Sequence, residues 1–360
     1  MKINFRRENT MTRLNKAITR YMLAILLISS AGYVKSEIKW GLSTRQGRRP
    51  TMEDRHTVKT NLEGELFFGV YDGHGGIVAA DYTKDHLVEN FSKFNWWNLF
   101  QIRKQAETIG KRLINSFNKT DKDFLNNLKF KHDRSGTTAV VAVVDTNTNK
   151  VTIANCGDSR AILIRNGRVL LATNDHKPKL PKERKRIEEA GGFVHYDRVC
   201  GVLAVSRAIG DRDLKDKGVI PNPDIYKKDA KKGDILILAC DGVWDVMNNE
   251  EVAAFIHEKF NKSNKEQMHS STQNTGEETV EETGDNLVRR VARELRDKAY
   301  NKKSNDNISV LIVKFGEVDQ ERQRQKDTNA SLMARLFKSK KVFLGLGAVA
   351  ILYSLYHFFA

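Results

Sequence analysis

The stretch from Leu66 to Gly76, LFFGVYDGHGG, constrains the fold more than any other. An apolar run that stops abruptly at Asp72-Gly73-His74-Gly75-Gly76 reads as a buried strand carrying a carboxylate and an imidazole to its end. A strand end is rigid, and the glycines let the backbone come close to whatever those groups bind. An isolated carboxylate is costly to desolvate, so an Asp delivered to such a place needs a partner. Taken alone, the stretch fits an ordinary Asx turn equally well. The other acids decide between the two readings.

Further apolar runs have the same character: 137–144 (TTAVVAVV), 151–155, 160–165, 234–240 (DILILAC) and 308–314 (ISVLIVK). They are rich in Val, Ile and Leu and bounded by Gly, Asn and Asp, as strands are. Asn166-Gly167 between AILIR and RVLLA is a two-residue hairpin signal. Helical patterns cover 77–91, 101–128, 181–190 and 285–300; the third starts at Pro181 and stops at Gly191-Gly192, a usual helix beginning and end. Hairpins that follow one another without helices between them imply antiparallel sheets with the helices outside, an α+β layered fold.

Seven acids recur at strand ends and glycine turns: Glu53 and Asp54 in RRPTMED, Asp72 in YDGHGG, Asp158 in NCGDSR, Asp241 and Asp245 in ACDGVWD, and Asp306 in SNDN. A single Asp-Gly is usually a turn. All seven in matching contexts imply a cluster, and clustered carboxylates repel in a low-dielectric site unless a cation neutralises them. An oxygen-rich donor set without cysteine suits a hard ion such as Mg2+ or Mn2+.

RxxxED, DGHGG, SGTTA, GDSR, LAVSRAIGD, DGVWD and DN, in this order, resemble the metal-dependent Ser/Thr protein phosphatases of the PP2C (PPM) type, over about 37–315. The resemblance implies a four-layer α-β-β-α sandwich, two central antiparallel sheets flanked by helices, with two Mn2+ or Mg2+ ions at one end and a weaker third. By the same motifs Asp72 would bridge both metals and the Gly73 carbonyl would bind one. Glu53 would serve one ion, Asp241 and Asp306 the other, and Asp54 would hold metal-bound water. Asp158, with Asp241 or Asp245, resembles the acids of the third site. Arg49 would hold the substrate phosphate, its planar fork matching two phosphate oxygens. His74 would protonate the leaving serine or threonine oxygen. The implied reaction is hydrolysis of phosphoserine and phosphothreonine in proteins by direct attack of a metal-bound water or hydroxide on phosphorus. No Cys or Ser nucleophile motif calls for a phosphoenzyme. A hydrolase of small phosphate esters and a catalytically silent binding module are the alternatives; the complete set of acids argues against the latter. Cys200 stands where the family commonly has a small polar residue, and 261–284 is longer than the family core requires.

Lys and Arg outnumber Asp and Glu by 61 to 45, for a net charge of +16, which suits acidic partners such as nucleic acid, anionic lipid or phosphorylated protein without choosing among them. The basic residues form no aromatic-interleaved patch, so no nucleic acid is expected. Cys156, Cys200 and Cys240 follow no CxxC spacing and imply neither a disulfide framework nor a zinc site. The catalytic domain is expected to be monomeric. It is flanked by a basic 1–36 with a short apolar segment at 21–34, a charged linker 316–341, and an apolar tail 342–360, with a polar insertion loop at 261–284 inside it. The tail has 19 residues, no formal charge and a collar of Arg335, Lys338, Lys340 and Lys341. It is expected to cross a membrane once and contact its lipid, with the domain on the cytoplasmic side. The 21–34 segment offers the opposite alternative, export or anchoring through the N-terminus.

Overall fold

Strands that are apolar on both faces must be covered on both, and that requirement accounts for the layers of this fold. The computed structural model describes residues 38–62, 64–100, 108–266 and 282–316. In chain order, the strands of its two large sheets are β1 (Ile38–Arg45), β2 (Arg55–Leu62), β3 (Glu65–Tyr71), β4 (Ala139–Asp145), β5 (Lys150–Cys156), β6 (Arg160–Arg165), β7 (Arg168–Ala172), β8 (Asp224–Asp229), β9 (Ile235–Ala239), β10 (Glu282–Gly284) and β11 (Ile308–Phe315). The order β10-β1-β11-β9-β6-β7 makes one sheet and β8-β5-β4-β3-β2 the other. All neighbours in both are antiparallel. The Asn166-Gly167 hairpin forms as expected between β6 and β7.

Side-chain parity then assigns each residue to a layer. Leu66, Phe68 and Val70 of β3 and Val140, Ala142 and Val144 of β4 point between the sheets, where they meet Leu236, Leu238, Leu311, Val313 and Phe315. The alternate residues Phe67, Tyr71, Val141 and Val143 point outward. There they are covered by helices α1 (Val78–Phe100) and α2 (Ile109–Asn126), through Leu87, Phe91, Leu113 and Phe117. Between β7 and β8 lies α3 (Pro181–Glu189). On the far side Ile235, Ile237, Ile308, Val310 and Ile312 pack against α4 (Asn249–Glu266) and α5 (Asn286–Asn301). This is the four-layer α-β-β-α sandwich, and it explains why the strands read as unbroken apolar runs. Asp285 starts α5 by accepting from the N–H groups of Leu287 and Val288, a side-chain N-cap.

Residues 261–266 of the expected insertion loop continue α4, and 282–284 pair with β1. The stretch between them, like 1–36 and the 317–341 part of the linker, lies outside the described residues. The expected single-pass membrane location is corrected. Among the described residues no helix is long and apolar enough to cross a membrane. The longest, α1, carries Asp81, Lys84, Asp85, Glu89 and Lys93, charges that a hydrocarbon layer would not accept. The segments 342–360 and 21–34 lie outside the described residues, so the structure gives no support to an anchor at either end.

Candidate active site

Six chain segments converge at one end of the sandwich, joined by hydrogen bonds and close backbone approach. Asp72 ends β3 and is locked to the segment entering β4: its carbonyl accepts from Thr138 N–H at 2.9 Å and Thr137 Oγ1 at 3.1 Å. Thr138 Oγ1 in turn lies 2.7 Å from Ser159 Oγ, which brings Asp158, in the turn between β5 and β6, alongside Asp72. The SGTT segment is therefore a strand entry. Asp241 opens a single helical turn (Asp241–Trp244) directly after β9. A Cβ on Gly242 would stand 2.0 Å from the Asn307 carbonyl, so only glycine lets this turn approach the residues that precede β11. Asn307 staples the RRPTMED loop to the same place. Its amide donates to the carbonyls of Gln46 (2.7 Å) and Thr51 (2.9 Å), and its oxygen accepts Glu53 N–H at 2.8 Å.

Asp72, Asp158 and Asp241 each offer a ligand oxygen, and these oxygens lie within 4.8 Å of one another. Burial, then repulsion from Asp241, Asp54, Asp158 and Asp306, holds the Asp72 carboxyl well above the usual carboxylate range. Burial and the neighbouring Asp158, Asp245 and Asp306 do the same to Asp241. Asp54, 3% exposed, lies beneath the cluster with Oδ2 accepting from Ser309 Oγ at 2.7 Å; burial pushes its pKa up to about 6.

The donor set fits a metal centre. Asp241 Oδ1 and Asp54 Oδ1 are buried and have no hydrogen-bond partner, which is costly for a carboxylate that no cation neutralises. The donors are all oxygens, the preference of hard divalent ions. Cys240 is no soft ligand: its thiol donates to the Asn307 carbonyl (3.4 Å) and accepts Ser309 N–H (3.1 Å), and burial pushes its pKa well up. Burial also pushes the Cys156 thiol up, to about 12. Both cysteines are free and buried, as small apolar residues are.

The cluster opens into a cleft of about 780 Å3 that is also lined by Arg49, Glu53, Gly73, His74, Arg198 and Asp306. A larger groove of about 930 Å3 between β1, β2 and α1 is lined by Asp54 and Asp85 but contains none of the three clustered acids. Glu53 sits at the cleft with Oε1 accepting from Thr51 Oγ1 (3.0 Å) and Oε2 from Gly76 N–H (3.4 Å). Arg49, 55% exposed, donates to Asp306 Oδ2 at 2.5 Å. Although burial opposes it, this carboxylate raises the guanidinium pKa further. Asp245 is exposed and lies outside the close trio. Asp158, expected with Asp241 or Asp245 at a weaker third site, offers an oxygen within 4.8 Å of those of Asp72 and Asp241, and Lys177 Nζ sits 2.5 Å from its Oδ2.

The sequence model of the family described as Protein phosphatase 2C matches residues 38–308. The chain belongs to the protein phosphatase 2C family. Protein phosphatase 1B of Rattus norvegicus is 37% identical over 298 residues, covering 77% of this chain and 70% of that protein. The Homo sapiens protein of the same name is also 37% identical, and the match spans only 57% of its length. Among solved structures, a phosphatase from a pathogenic strain of Toxoplasma gondii matches with a TM-score of 0.62 and 25% identity, covering 78% of this chain and 94% of that one.

Within this protein phosphatase 2C domain, three residues at the site had no role in the sequence reading. Asn307 and Asp211 stand inside recognised motifs, DN and LAVSRAIGD, so the motifs themselves were the available signal. Lys177 falls in Asp175-His176-Lys177-Pro178, a stretch that reads as a turn before α3. His74 Nε2 lies 2.9 Å from Asp211 Oδ2. Burial pulls the His74 pKa down, but Asp211 outweighs it and the net shift is upward.

Proposed function

We propose that residues 37–315 form a metal-dependent phosphatase that hydrolyses phosphoserine and phosphothreonine in proteins by direct attack of water on phosphorus. The observation that carries this reading is the trio Asp72, Asp158 and Asp241, ligand oxygens within 4.8 Å, at the floor of a cleft that also presents an arginine and a histidine. Asp72, the Gly73 carbonyl and Glu53 would hold one Mn2+ or Mg2+ ion. Asp72, Asp241 and Asp306 would hold a second, with Asp54 placed to accept from water beside them. Asp158, with Asp241 or Asp245, would serve a weaker third. Bound divalent ions lower the pKa of water and offset the charge of the phosphate.

The chain's own residues supply the rest. Arg49 stands at the rim, exposed enough to turn from Asp306 to a phosphate dianion and engage it through two N–H groups. His74 faces the cleft and is placed to give a proton to the leaving oxygen, a step that matters because a serine or threonine alkoxide leaves poorly. Among the described residues, Cys156, Cys240 and Ser135 at the site are not disposed as covalent nucleophiles. Cys156 and Cys240 are buried with their thiols held protonated. Ser135 is 1% exposed, donates to Asp133 and accepts Ala79 N–H at 3.0 Å.

The test is turnover of a phosphothreonine peptide by the full chain with Mn2+, then with excess EDTA. Hydrolysis that needs the metal is expected. Absence of turnover in saturating Mn2+ would sink the enzyme reading, and far faster turnover of a small phosphate ester than of any phosphopeptide would point to that substrate class instead.

A further inference from the structure

Gly73–His74, Gly136–Thr137 and Ile209–Gly210 form a small antiparallel sheet beside the acid cluster. Its effect is to close Asp211 onto the imidazole of His74. Asp211 has a side chain only 6% exposed and a backbone φ of 48°, in the left-handed region that residues other than glycine seldom occupy. Two hydrogen bonds hold it there. Its N–H donates to the Ser135 carbonyl at 3.0 Å, and the preceding Gly210 N–H donates to Asp121 Oδ1 of α2 at 2.9 Å. Asp121 is itself paired with Lys215 at 2.8 Å. The middle strand must be glycine where it faces the pair: a Cβ on Gly136 would stand 2.1 Å from Asp211 Oδ2 and 2.5 Å from His74 Nε2. Three backbone segments and one helix therefore converge on a single contact, His74 Nε2 to Asp211 Oδ2 at 2.9 Å.

An ionised carboxylate can only accept, so the nitrogen facing it is the one that carries hydrogen. The contact thereby sets both the ring orientation and the tautomer. Nδ1 has no hydrogen-bond partner among the described residues, and the ring lines the cleft.

We propose that Asp211 is the positioning residue for His74: it holds Nε2–H and so assigns proton delivery to Nδ1, a role that rests on the phosphatase reading above. As the phosphorus–oxygen bond breaks, its electron pair leaves on the seryl or threonyl oxygen, and that oxygen takes the Nδ1 proton. The ring is left neutral with its remaining proton on Nε2 facing Asp211, and the oxygen of the attacking water stays on the phosphate.

Two measurements test this. In the metal-free wild-type protein, long-range proton–nitrogen NMR of His74 should show the neutral ring as the Nε2–H tautomer; the Nδ1–H tautomer would overturn the proposal. In the Mn2+-loaded enzyme, Asp211→Ala should lower kcat on a phosphothreonine peptide at least about tenfold more than on p-nitrophenyl phosphate, whose leaving group needs no proton. The peptide KM should change much less than kcat. Added to His74→Ala, Asp211→Ala should cost nothing further, because the two act as a unit. Equal losses on both substrates, or losses that add to those of His74→Ala, would mark Asp211 as merely structural. Wild-type protein that turns over neither substrate would remove the phosphatase reading and this inference with it, whereas an active wild type with additive losses removes the inference alone.

Discussion

Asp241→Asn should make the metal-free protein more stable while removing its ability to respond to metal. The Asp241 ligand oxygen lies within 4.8 Å of those of Asp72 and Asp158, and at an effective dielectric of about 20 a pair of unit charges at that separation repels by about 3 kcal/mol. Lys177 at 2.5 Å offsets much of the charge on Asp158, and proton uptake relieves part of the remainder, leaving about 2 kcal/mol for the amide to recover. That corresponds to a rise in Tm of roughly 3–4 °C for a domain of this size. Sign and pH window follow from the direction of the shifts. Asp72 and Asp241 have folded-state pKa values above their unfolded ones, so they cost stability once pH exceeds the unfolded carboxylate value. The metal-free wild type should therefore lose stability as pH climbs from about 4 toward neutrality, and the variant should lose less. Thermal melts in EDTA at several pH values measure this. Saturating Mn2+ should reverse the ranking, because a ligand at about 100 times its Kd stabilises the native state by about 2.7 kcal/mol and the variant lacks one of the donors. A variant less stable than wild type in EDTA would refute the reasoning, since it would mean that the Asp241 carboxylate is paired and not repelled.

Two further outcomes concern the surroundings of the site. Glu183 on α3 accepts from Arg207, Arg186 and Ser206; burial alone would raise its pKa, but these partners outweigh it and take the carboxyl from 4.5 down to about 2. Glu183→Gln should cost about 3 kcal/mol in urea unfolding at pH 7, and the difference should vanish as pH falls from the unfolded value through about 2; a cost that persists unchanged in acid would contradict the charge-pair account. Under native conditions a thiol reagent should label Cys200, partly exposed, well before Cys156 and Cys240, both 0% exposed; equal labelling, read by mass spectrometry, would show that the β5 and β9 ends open readily.

Much of this molecule could be read from local pattern. Strands such as Glu65–Tyr71 and Ile308–Phe315 are legible because both faces are buried and most positions are apolar. The β6–β7 hairpin is legible because Asn-Gly supplies the positive φ that a two-residue turn needs, here 49° and 74°. Strand Asp224–Asp229, DIYKKD, was not legible: it lies at a sheet edge with its last three residues exposed, and nothing in its composition requires a sheet. Strands β1 and β2 and helix α4 escaped for a related reason, because their half-buried patterns acquire meaning only from the layers they cover.

The acids show the same division. Their recurrence after strands, and hence a hard-metal cluster, follows from residue types and short spacings alone, since a strand end confines its last side chain. Those rules reach only a few residues along the chain. They cannot bring Asp211 to His74 across 137 positions or set Lys177 on Asp158. Nor can they choose, among seven acids, the three whose oxygens actually converge. Those pairings arise where separate segments close on one another, and it is this closure that brings the ligand oxygens of Asp72, Asp158 and Asp241 within 4.8 Å of one another.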